Sequence, residues 1–134
     1  MANGWPTRRR TQGTGGLPGC LFACAEGAED SIEHYAVCGV LAERMHQLLR
    51  LPRPPPEHRL ADFLGVVNLP GGPDAAVLRA VRLAAVYRLH CQACHGRLPT
   101  GRPAREALAQ ACREVVRGSR RGEHVYDAAA GGWA

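Results

Sequence analysis

The sequence predicts a mostly α-helical protein: one small helical domain with disordered termini. Three observations carry this. The apolar fraction is 46% while aromatic residues make up only 5%. Alanine, leucine and valine therefore fill the core, and the β-branched and aromatic residues that favour a pleated surface are thin. Apolar residues recur near helical period in several segments. The sixteen glycines and ten prolines gather at the ends and in short breaks between those segments.

Residues 1–19 carry Gly, Thr, Pro and the run Arg8-Arg9-Arg10, with little to bury, and are expected to form a disordered basic arm. Residues 20–50 form the next unit. Cys20 to Gly27 reads as a knuckle or short hairpin. Asp30, with Glu33 three residues on, reads as the N-cap of a helix from about Ser31 to Leu49. Ile32, Val37, Val40, Leu41, Met45 and Leu48 are expected to face inward. The prolines of Leu51 to Glu57 stop that helix, because they remove N–H donors and clash with the preceding turn. The region 51–117 then holds three more helices. The first, about 57–67, offers Leu60, Phe63 and Leu64. The longest opens at Pro73 and Asp74 and reaches Cys91 or Cys94 through Val77, Leu78, Val81, Ala84, Ala85 and Leu89. The last runs from about Pro103 to Arg117 through Leu108, Val115 and Val116. Residues 118–134 are rich in Gly, Arg and Ala and are expected to be a flexible tail.

Net charge is +5, and all 17 basic residues are arginine. Guanidinium forks suit phosphate oxygens, although a GC-biased coding sequence also writes Arg for Lys. The basic surface permits attraction to RNA or DNA, or to acidic lipid. No stretch approaches the roughly 18 apolar residues of a membrane span. The N-terminal stretch lacks the apolar core of a secretory signal. The six cysteines are accordingly expected to be reduced thiols or metal ligands in an intracellular, nuclear or cytoplasmic setting, not the disulfides of a secreted protein.

The densest chemistry lies in CLFACAEGAEDSIEHYAVC, where Cys20, Cys24, His34 and Cys38 follow the spacing C-x3-C-x9-H-x3-C. These are ligand types that zinc holds as a tetrahedron, and His34 and Cys38, four apart, would share one face of a helix. Four protein ligands leave no open position for water, so a Zn2+ here would be structural. It would tie a knuckle with few apolar residues to the helix after it. Glu26, Glu29, Asp30 and Glu33 would offset nearby arginines or bond to the ligands. The alternative is a set of ordinary buried thiols beside a surface histidine.

The pair Cys20 and Cys24, followed by Asp30-Ser31-Ile32-Glu33-His34 and then Cys38, resembles the zinc-binding region at the C-terminal end of non-LTR retrotransposon reverse transcriptases. The likeness covers about residues 20–50. The resemblance implies a zinc module that helps to hold RNA or DNA. The chain departs from the family in a first gap that is one residue longer, and it has no YxDD polymerase signature.

A rival motif is Cys91-Gln92-Ala93-Cys94-His95, which spells the c-type haem attachment signature CxxCH. It would make the chain an electron-transfer protein. Against it stand the missing secretory signal and the lack of any methionine after His95 to serve as a distal ligand. A second zinc site from Cys91, Cys94, His95 and Cys112 is a further option; core packing of Cys91 and Cys112 is the plainer one. Arg8, Arg9 and Arg10 are the candidate phosphate contacts. Phe22 and Tyr35 can stack on bases or pack around the metal. No GxSxG, P-loop, GxGxxG or HExxH occurs, so neither an enzyme nor a small-molecule substrate is expected. A helical interaction protein, or a remnant without activity, is the third reading.

Overall fold

A computed structural model describes residues 17–66 and 70–131. Among these residues it contains six α-helices and no strand: α1 (Ile32–Val37), α2 (Gly39–Leu49), α3 (Arg59–Leu64), α4 (Gly72–Cys94), α5 (Arg102–Val116) and α6 (Arg120–Ala130), with a 3-10 turn at Pro56–His58. The all-α expectation holds. The arm Arg8-Arg9-Arg10 lies outside the described residues.

α4 is the axis of the fold. It packs on α3, α5 and α6, while α2 leans on α5 and α6 and α1 on α3. Its buried stripe includes Leu78, Val81, Ala85, Val86 and Leu89, all but Val86 read from the helical period. Leu108, Cys112 and Val116 of α5 join Leu41, Met45 and Leu49 of α2 in the same core. Full burial of one such side chain stabilises by about 1.5–3 kcal/mol.

Four local expectations are corrected. The single helix over 31–49 is two, because Cys38 leaves the helical region (φ −62°, ψ 116°) and ends α1 while starting α2. The cap of α1 is Ser31, whose Oγ accepts from the His34 amide at 3.1 Å, and not Asp30. Val37 is 50% exposed, since the break at Cys38 turns the end of α1 outward. Residues 118–131 are no loose tail. Ser119 caps α6 by accepting from the Gly122 amide at 3.1 Å, and Val125 and Tyr126 are buried. Two apolar anchors in a Gly- and Arg-rich stretch give too short a stripe to register as a period, yet they dock on α4 and α5.

A buried ion triad joins α3 to α4. Asp62 accepts from Arg79 Nε and from Arg82 Nη1, both at 2.9 Å, and the Asp62 carbonyl accepts from Arg82 Nη2. The three side chains are 5–8% exposed. The Arg82 guanidinium also lies 5.6 Å from the centre of the Phe63 ring. Burial pushes the Arg82 guanidinium down, and the Asp62 carboxylate offsets that only in part.

Candidate metal centre

The knuckle is built by its own backbone. The Cys20 amide donates to the Ala28 carbonyl at 3.1 Å, and the Ala23 amide to the Cys20 carbonyl at 3.0 Å. The turn between the first two thiols holds Ala23 at φ 48°, a left-handed conformation that costs an alanine about 1–2 kcal/mol. The knuckle is then pinned from outside. Leu21 and Phe22 are fully buried. The Gly101 amide donates to the Leu21 carbonyl at 2.9 Å, and Arg105 Nε to the Phe22 carbonyl at 2.8 Å.

This frame brings Cys20, Cys24, His34 and Cys38 together, with their ligand atoms all within 4.8 Å of one another. Cys20 Sγ and Cys38 Sγ are 3.9 Å apart, and Cys24 Sγ lies 3.3 Å from His34 Nε2. A tetrahedral zinc with ligands at about 2.3 Å to sulfur and 2.05 Å to nitrogen sets edges of about 3.8 Å for S···S and 3.6 Å for S···N. Both of these edges lie within a few tenths of an ångström of those values, and the four donors, all within 4.8 Å, could hold a metal ion. A disulfide would need about 2.05 Å, and all six cysteines are free thiols.

The charge pattern suits a cation. Donation from Cys38 holds the Cys20 thiol down at about 5, while that same bond and burial push Cys38 up. Burial and the charge on Cys20 push Cys24 up. A dication would displace the remaining thiol protons and equalise the set.

Asp30 is not a surface counter-charge. It is 1% exposed and sits behind the ligands, with Oδ1 accepting from Tyr35 Oη at 2.7 Å and Oδ2 from the Leu17 amide at 2.9 Å. Tyr35 Oη in turn accepts from the Leu21 amide at 3.0 Å, which links the knuckle to α1. Burial and the Asp30 carboxylate push the Tyr35 phenol up. The ring packs edge-on against Phe22, His34 and His90, so Phe22 and Tyr35 are packing residues about the site. Sequence reasoning missed this role of Asp30 because D-x-x-E is equally a capping pattern. Glu26, Glu29 and Glu33 are exposed.

The CxxCH residues lie at the far end of α4. Cys91 and His95 line a surface groove with Tyr87, Arg88 and Val115. His95 Nδ1 pairs with the Cys91 carbonyl at 2.8 Å. Cys94 does not line that groove; its sulfur faces His90 Nδ1 at 3.6 Å. Cys112 is fully buried. Among the described residues, only the N-terminal set brings three or more Cys, His, Asp or Glu groups into ligating range.

Compared with known protein families, curated proteins and solved structures, the chain shows no match.

Proposed function

We propose that Cys20, Cys24, His34 and Cys38 hold one structural Zn2+, and that the chain is a non-catalytic, zinc-stabilised module that binds RNA or DNA, related to the tail of a retroelement reverse transcriptase. The observation that carries the metal is the convergence of four ligand atoms within 4.8 Å on a frame fixed by backbone bonds. The nucleic-acid partner is supported by a net charge of +5 written wholly in arginine and by the likeness over residues 20–50. No helix among the described residues is long and apolar enough to cross a membrane.

Metal content per chain, measured beside a Cys20→Ser/His34→Ala double variant, tests the first half. One zinc per chain is expected, lost in the variant together with helical signal; a metal-free, fully helical wild type would refute it. Retention on single-stranded RNA and on duplex DNA across a salt series tests the second half. Affinity should fall log-linearly with salt, by about 0.7–0.9 in slope per phosphate contact, and flatten when Arg8, Arg9 and Arg10 become alanine. Salt-independent or absent retention would remove the nucleic-acid reading. A Soret band on the purified protein would favour the haem reading through Cys91, Cys94 and His95 instead.

A further inference from the structure

Behind the metal centre, three side chains from distant parts of the chain form a line. His90 of α4 is fully buried, and its Nε2 lies 2.8 Å from Asp30 Oδ1. Its other nitrogen, Nδ1, lies 3.6 Å from the sulfur of Cys94, one helical turn on. Burial opposes a charge on Asp30, but bonds from His90, Tyr35 and the Leu17 amide together outweigh it and hold the carboxyl below its ordinary range. Asp30 is therefore a carboxylate at neutral pH. In the tautomer with its proton on Nε2, facing Asp30, His90 presents Nδ1 to accept from the Cys94 thiol. Thiol, imidazole and carboxylate thus stand in the order of nucleophile, base and orienting group.

We propose that Cys94 is a nucleophilic thiol served by His90 as general base and Asp30 as positioning residue, and that it is a covalent modification site for soft carbon electrophiles. Cys94 is only partly buried, so a small electrophile can reach it. Cys91, three residues away, is also only partly buried but lies beside Tyr87. Burial and the nearby Asp30 charge push the Cys94 thiol up, so the proton rests on sulfur until attack. In the step itself, the S–H proton passes to His90 Nδ1 as the new S–C bond forms. With iodoacetamide as the electrophile, the C–I bond breaks and iodide departs with its electron pair. The imidazolium, offset by the Asp30 carboxylate, then returns its proton to water. This site uses none of the proposed zinc ligands, although its Asp30 is tied to the knuckle through Tyr35 and Leu21.

The test is pulsed iodoacetamide labelling of the full native chain. Cys91 and Cys94 share the tryptic peptide 89–97, and fragment ions separate them. General-base assistance contributes about 10²–10⁴-fold in favourable sites. Cys94 should therefore label at least ~10-fold faster than Cys91, with the ratio falling to about one in urea and in folded His90→Gln. Its rate should also drop in D2O, as proton transfer in the rate-limiting step requires. Should His90→Gln prove unfolded, the native-against-urea comparison on the wild type decides alone. Equal or slower labelling of native Cys94, a ratio unchanged in urea, or an advantage that persists in folded His90→Gln would each overturn the proposal.

Discussion

Replacing Asp62 by alanine is the sharpest test of how α3 is held to α4. Its carboxylate is the shared acceptor of Arg79 and Arg82, and the three side chains are 5–8% exposed. Removing it leaves two guanidiniums out of water with no acid to face. Arg82 Nε already has no partner, so nothing nearby is spare to take up the charge. Breaking a buried pair by deleting one partner costs about 3–5 kcal/mol, a large part of a total near 5–15 kcal/mol. With a urea slope of about 2 kcal/mol/M, the unfolding midpoint of Asp62→Ala should fall by roughly 1.5–2.5 M. The triple variant Asp62→Leu/Arg79→Met/Arg82→Met should recover most of that, because apolar replacement of a whole buried triad is often neutral or better. If Asp62→Ala lies within about 1 kcal/mol of wild type, the triad is not desolvated as described and the reasoning fails.

Chelation by a strong zinc ligand should unfold the N-terminal corner first, seen by hydrogen exchange as loss of protection over 20–49 before α4, since structural zinc supplies about 10–16 kcal/mol to such sites; uniform loss would contradict this. Burial pushes the Cys112 thiol from its ordinary 9.0 up to about 12. Its neutral form is favoured by folding, so its contribution is whole below pH 9 and is lost as pH rises from there towards 12, at up to about 1.4 kcal/mol per unit. Cys112→Ala should accordingly show a flatter alkaline limb in denaturation midpoints, and an unchanged limb would count against the burial. Ser119→Ala removes the cap of α6 and should cost about 1 kcal/mol in thermal unfolding; no change would mean that α6 is held by packing alone.

What the sequence made legible was whatever is local. The four candidate ligands fall in one short stretch, 20–38, and the prolines after α2 and the stripes of α4 and α5 are likewise contiguous in sequence. What it hid depends on partners far along the chain. Asp62 looks like a polar residue on a short amphipathic helix until Arg79 and Arg82 arrive from α4 to bury it. Those two arginines interrupt the apolar stripe of α4 three residues apart, and that irregularity was the available signal. His90 is of the same kind: it falls beside Leu89 in the buried face, and only the partner 60 residues away explains a histidine there. The break at Cys38 was hidden for another reason. The apolar helical pattern runs through it, and the glycine at 39 was the one local signal of a break.

The seam between the knuckle and α5 spans 83 residues, from Phe22 to Arg105. A ribosome adding about 5–20 residues per second delivers its second half roughly 4–17 s after the first. Through that interval the Leu21 and Phe22 carbonyls lack their partners Gly101 and Arg105. The four ligands, by contrast, are all present once Cys38 has emerged. An ion captured then would close the knuckle early and hold it in shape until Arg105 and Gly101 appear. The order of synthesis would thus let a bound metal set the corner's shape before α5 arrives to cover it.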